Sequence, residues 1–246
     1  MKTALVTGAA RRFGAHMVER LAREGYRVLM VVRGGMSEAQ ELAARLEDAH
    51  GVSIELLQSE IGASTTAAMI ADWAASKIGD HGLDLLVLNA SSYLQTPIGA
   101  PQAGVVSALI ESNITGPFYL TSRLLPLLNM SRGCVVGICD AADNQARPSY
   151  SMYSATKAAM RALFDTLAVE AAPVRFNTVS PGIMPFPEHY ASGIREHLAT
   201  QIPLGRIGAW EDMAAAVMYL AHADYVSGAD IRVDGAWSRV GGRTLG

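Results

Sequence analysis

Cysteine is nearly absent from this chain, with only Cys134 and Cys139 among its 246 residues. They stand five positions apart in a run that reads as strand, which at about 3.3 Å per residue separates them by roughly 16 Å, beyond the ~7 Å reach of a disulfide. Neither a disulfide nor a cysteine metal site is supported, and both read as small core residues. Charge is also sparse, at 17 % of residues with a formal net of −3. No basic block is present to follow a nucleic-acid backbone or an anionic bilayer, so neither is an expected partner. The apolar residues are spread along the chain, and no uninterrupted run approaches the ~18 that a membrane helix needs. The first short apolar strand runs straight into Gly8 and Arg11-Arg12, unlike a secretory signal with its long apolar centre. These absences lead to the expectation of a cytoplasmic enzyme forming one domain over 1–246.

Apolar runs of strand length fall at 4–6, 27–32, 53–57, 83–88, 134–139, 175–180 and 231–233, alternating with segments of helical period. Near-continuous Val, Leu and Ile runs suit parallel strands covered on both faces, and right-handed crossovers then predict a doubly wound α/β sheet of seven strands. Helices are predicted at 13–24, 37–49, 63–78, 150–171 and 210–221. Between 181 and 203 prolines and glycine break regular structure just past a strand end, where open α/β sheets bind ligands, so 182–201 is a candidate substrate lid.

Tyr153 and Lys157 are four residues apart in a predicted helix and share one face. A phenol ordinarily titrates near pKa ~10. An ammonium beside it favours the phenolate and eases release of the proton. At the other end of the chain, Thr7, Gly8, Arg11, Arg12, Phe13 and Gly14 turn from the first strand into the first helix, where the phosphates of a dinucleotide sit. Gly8 permits the tight turn and Gly14 the close helix–sheet approach. What is missing after the second strand is an acidic residue for ribose hydroxyls. Arg33 stands there instead, attractive to a 2′-phosphate, so NADP (as NADPH) is favoured over NAD. The alternative reading of Arg33 is a solvated surface charge. Glu60 after the third strand lies near the adenine position, and Asn89-Ala90 ends the fourth strand as a small polar surface for the cofactor.

Together the Thr7-Gly8 turn, Leu88-Asn89-Ala90, Asn113, Tyr153 with Lys157, Ser180-Pro181-Gly182 and the run 228–235 resemble the short-chain dehydrogenase/reductase family over nearly the whole chain. The resemblance implies a Rossmann-like domain, a homo-oligomer (tetramer or dimer), and hydride transfer between a nicotinamide and a small-molecule substrate. It also implies contacts to the cofactor from Pro181, Gly182 and Ile183.

Two family residues are absent. Arg12 occupies the place of a usual second glycine, and Asp140, thirteen residues before Tyr153, occupies that of the usual serine. Both changes, with Ser91-Ser92-Tyr93 after Asn89-Ala90, resemble the pteridine reductase branch. An ionised carboxylate only accepts hydrogen bonds and repels an emerging alkoxide, so Asp140 suits a ketone poorly unless protonated. A C=N bond instead needs a proton on ring nitrogen, which a carboxyl group can hold or relay. The branch resemblance implies Tyr153 as donor assisted by Asp140, Lys157 on the nicotinamide ribose, and Asn113 orienting Lys157 through water. It further implies Arg12 reaching both pyrophosphate and pterin. Tyr93 is placed to cover a flat ring and Ser91 to bond its exocyclic groups or cofactor. Met184, Phe186, His189 and Tyr190 line the lid, His189 reading more simply as an exposed loop residue. The leading expectation is an NADPH-dependent reductase of a pteridine-like C=N bond. The alternatives are a ketone reductase and an NADP-binding regulatory protein that has lost its chemistry.

Overall fold

The computed structural model describes residues 1–144, 146–185 and 193–240. Seven strands, β1 (Thr3–Thr7), β2 (Arg27–Val32), β3 (Ile54–Gln58), β4 (Leu85–Leu88), β5 (Cys134–Ile138), β6 (Arg175–Pro181) and β7 (Asp230–Val233), form one sheet in the order β3-β2-β1-β4-β5-β6-β7. Every pairing is parallel, as the doubly wound prediction requires. The winding direction reverses between β1 and β4, and the gap between their carboxyl ends is the topological switch point.

Fully apolar strands are stable here because both faces are covered. Helices α1 (Arg12–Arg23), α2 (Met36–His50) and α8 (Trp210–His222) cover one face through Met17, Leu21, Leu42, Met213 and Val217. On the other face α3 (Ser64–Ile78), α5 (Gly116–Ser131) and α6 (Ser151–Glu170) contribute Ile70, Leu120, Leu124, Met160 and Phe164. Alternate residues of β1, Val6 and Leu5, belong to opposite clusters, the period of two that a doubly covered strand imposes.

The apolar segment from 105 to 128 is not one helix. It divides into α4 (Ala103–Ile110), a π-helical turn (Glu111–Thr115) and α5. Pro117 has no N–H to give the carbonyl of residue 113, so the regular ladder is interrupted at this point. A π-turn accommodates the break, as is common at functional positions. The lid region carries a helix that the sequence reading missed, α7 (Ile194–Thr200). Phe186, His189 and Tyr190 lie outside the described residues.

Candidate active site

A cavity of about 580 Å³ opens along the carboxyl ends of the strands at the switch point. It runs from Arg33 and Glu60 at one end to Tyr153 and Lys157 at the other. Its floor is the β1–α1 turn. Gly8 has φ +66°, a left-handed conformation favourable to glycine. A Cβ on Gly14 would sit 2.0 Å from the Gly8 carbonyl oxygen, so no other residue fits there without moving the turn. Such a cradle, built where backbone meets backbone, suits the pyrophosphate of a dinucleotide. Arg12 adopts φ 52° although it has a side chain, which is the conformational reason for the glycine usual at that position. Phe13 lines the same wall, tilted against Trp210 with ring centroids 6.3 Å apart. Trp210 and Met213, on α8, also face the cavity.

Asn89 holds this turn in place. Its Nδ2 donates to the carbonyls of Thr7 and Gly8, each at 3.1 Å. Thr7 Oγ1 in turn accepts from the backbone N–H groups of Asn89 and Ala90 at 3.0 Å. Thr7 is therefore buried beneath the cavity as a tie between β1 and β4 rather than on its surface, while Ala90 and Asn89 line it.

At the nucleoside end Arg33 lies 3.6 Å from Glu60, and Arg11 lies 2.5 Å from Glu38 beside the left-handed Gly35. The backbone amide and Arg11 together hold the Glu38 carboxyl below the usual carboxylate range. Both pairs are well exposed. Exposed ion pairs are weak, so either arginine is readily turned toward an arriving phosphate. Arg12 has no acidic partner among the described residues.

At the far end the loop after β5 brings Asp140 to α6. Tyr153 Oη donates to Asp140 Oδ2 at 2.9 Å. Arg147 bonds both carboxylate oxygens, Nη1 to Oδ2 at 3.0 Å and Nη2 to Oδ1 at 3.3 Å, and the Ala142 amide donates to Oδ1 at 2.8 Å. Burial and then the Asp140 charge push the Tyr153 phenol far above its ordinary value. The expectation that Lys157 eases the phenol's ionisation thus meets a stronger opposing pair of effects in this arrangement. Lys157 is buried, its Nζ donates to the Ile138 carbonyl at 2.9 Å, and it sits 5.8 Å from the Tyr153 ring centre. Burial lowers its pKa.

Asn113, inside the π-turn, is committed to other partners. Its Oδ1 accepts from Ser91 Oγ, the Ser92 amide and Ser112 Oγ at 3.1, 2.9 and 2.9 Å. Its Nδ2 donates to the Ser92 carbonyl at 3.1 Å and to Thr156 Oγ1 at 3.0 Å. It braces the loop after β4 against α6 next to Lys157, and its direct bonds go to these groups rather than to the Lys157 ammonium. Ser91 lines the cavity. Tyr93 does too, but one of its faces is already stacked on Tyr150, with centroids 4.5 Å apart and planes 16° apart. Its ring meets Tyr153 edge-on at 4.6 Å. Pro181, Gly182 and Met184 also line the cavity, whereas Ile183 packs toward Ile202 and Trp237.

Arg147 and Tyr150 were missed from sequence. The only available signal was a cation seven residues after Asp140, within a segment rich in turn formers. The thiol of Cys139, buried under the site, is pushed up to about 11 by burial and is chemically quiet at neutral pH.

Residues 8–238 match the family model described as Enoyl-(Acyl carrier protein) reductase. The chain is 30 % identical to a 3-oxoacyl-acyl-carrier-protein reductase of Staphylococcus aureus, over 95 % of this chain and 97 % of that protein. It is 29 % identical to pteridine reductase 1 of Leishmania tarentolae, over 96 % of each. A solved structure described as a short-chain alcohol dehydrogenase from Sinorhizobium meliloti superposes with a TM-score of 0.85 at 25 % identity, covering 96 % of both chains. With a Tyr153 and Lys157 pair, a glycine cradle and a switch-point cavity on one parallel sheet, the chain belongs to the short-chain dehydrogenase/reductase family of oxidoreductases.

Proposed function

We propose that the protein is an NADPH-dependent reductase of a pteridine-like C=N bond, acting on a dihydropterin or dihydrofolate. The observation that carries this reading is the company of Asp140: among the described residues, every partner of its carboxylate, Tyr153, Arg147 and the Ala142 amide, is a donor. A carboxylate so engaged acts only as an acceptor and offers no donor to the oxyanion that ketone reduction creates, unlike the serine hydroxyl usual at this place.

The fit for the cofactor rests on the Gly8 and Gly14 cradle, with Arg12 at its rim and Arg11 and Arg33 at the nucleoside end. When bound, the reduced nicotinamide supplies a hydride to the substrate carbon. Tyr153 supplies the matching proton: its O–H bond breaks as an N–H bond forms on the ring nitrogen. Asp140 Oδ2, 2.9 Å from that oxygen, is placed to pass a proton taken from solvent back to the phenolate. Tyr93 offers an aromatic wall for a flat substrate, backed by Tyr150. Exposed Phe118 and Tyr119 on α5 and Val169 on α6 support self-association through these helices.

A second reading, reduction of a ketone, is favoured by the similarity to the staphylococcal oxoacyl reductase. Asp140→Ser separates the two. Under the C=N reading it lowers dihydropterin turnover, whereas under the ketone reading it preserves or raises turnover of ketones.

A further inference from the structure

We propose that Arg147 is a positioning residue for the reaction, holding Asp140 so that one carboxylate oxygen is presented to Tyr153. The inference rests on reading Asp140 and Tyr153 as the pair that handles the proton, and holds for either substrate class.

A lone carboxylate beside a phenol is free to rotate about its Cβ–Cγ bond and offer either oxygen, or neither. Here rotation is blocked. The guanidinium fork spans both oxygens, at 3.0 Å to Oδ2 and 3.3 Å to Oδ1, and the Ala142 amide adds a third bond to Oδ1 at 2.8 Å. Oδ2 is left with the Tyr153 hydroxyl at 2.9 Å. The planar fork of arginine matches a carboxylate in a way that a single ammonium does not. The pair is also poorly solvated, with side chains 25 % and 14 % exposed, so water is a weak substitute for Arg147. Lys157 does not replace it, since its ammonium bonds the Ile138 carbonyl.

Arg147 also joins the two walls of the site. Its guanidinium carbon lies 6.0 Å from the centre of the Tyr93 ring, in the loop after β4, while its nitrogens hold Asp140 after β5. Burial opposes its charge, but Asp140 and Tyr93 more than offset this and raise its pKa. A carboxylate at this place in the site thus comes with its own counter-charge from the same loop.

The test is a kinetic double-mutant cycle with Arg147→Met, Arg147→Lys and Asp140→Asn, using whichever of dihydrobiopterin or a ketone panel turns over. Arg147→Met is expected to lower kcat about tenfold or more while leaving KM for NADPH within about twofold, because its hydrogen bonds go to Asp140 and not to the nucleotide cradle. Arg147→Lys is expected to recover part of the loss. In the Asp140→Asn background, Arg147→Met is expected to cost no more than about twofold. An equal loss of kcat in both backgrounds, or no loss in either, overturns the proposal. So does a lysine variant no better than methionine. Should Arg147→Met fail to fold, Arg147→Gln, which keeps a donor without the charge, takes its place in the cycle. If no substrate turns over, the functional reading fails separately, and the cycle is read in thermal stability. Additive losses there overturn the contact on which the proposal depends.

Discussion

Tyr153 donates its hydroxyl hydrogen bond to Asp140 Oδ2 across 2.9 Å, while the Lys157 ammonium one helical turn further along α6 donates to the Ile138 carbonyl. A tyrosine so bonded keeps its proton well into alkaline conditions, because burial and the adjacent carboxylate both disfavour the phenolate. The proposed proton donor and its carboxylate partner therefore form a unit.

Replacing Tyr153 by phenylalanine removes the donor and leaves the ring. Turnover is expected to fall by about 10²–10⁴, the usual contribution of a positioned acid. NADPH affinity, read by fluorescence titration, is expected to stay within about threefold, since the glycine cradle is untouched. Asp140→Asn keeps the shape but loses the charge, and is expected to cost about tenfold or more in kcat by the same steady-state assay.

On the proposed NADPH reading, the arginines at the nucleoside end select the 2′-phosphate. Arg33→Glu is expected to lower kcat/KM for NADPH at least tenfold and leave NADH use unchanged or improved, since a charged hydrogen bond contributes about 1.5–3 kcal/mol. Raising ionic strength is expected to weaken NADPH more than NADH, because these side chains are exposed and screened.

Gly14→Ala places a methyl 2.0 Å from the Gly8 carbonyl oxygen. The turn must open to admit it. Overpacking of this kind costs about 1–3 kcal/mol, so a lower melting temperature and at least tenfold weaker NADPH binding are expected together, by thermal denaturation and fluorescence titration.

Alkaline pH tests the buried phenols. Tyr26 is pushed up to about 12, by burial first and then by the Asp84 and Glu24 charges. Its folded value lies above the unfolded one near 10, so its stabilisation is intact below pH ~10 and is lost as pH rises toward 12. Tyr153 acts in the same direction. Denaturant midpoints are expected to fall steadily across this window. Tyr26→Phe is expected to flatten the decline.

The sheet was legible in the sequence because parallel strands covered on both faces are apolar nearly throughout, as 28–32 and 134–138 are. The nucleotide turn was legible because Gly8 and Gly14 answer local steric demands that only glycine meets. The break at 111–115 was not read, since the apolar pattern runs straight through it and only Pro117 marks the interruption. Arg147 was not read either. Its role comes from a loop folding back on Asp140, and no periodicity records where an irregular segment carries a side chain. The same holds for Trp210, whose spacing on α8 is that of a core residue although its ring reaches the cavity. Thr7 and Asn113 were read as site groups, and their hydrogen bonds also brace the loop after β4, Thr7 to the strand end and Asn113 to α6.

The most direct test of the account is the loss of NADPH absorbance near neutral pH with dihydrobiopterin or dihydrofolate, set against a panel of small ketones. The account predicts turnover of the dihydropterin or dihydrofolate, abolished in Tyr153→Phe and weakened in Asp140→Asn, with little activity on the ketones. Turnover of ketones alone would contradict it and make Asp140 a variant residue of a carbonyl-reducing site.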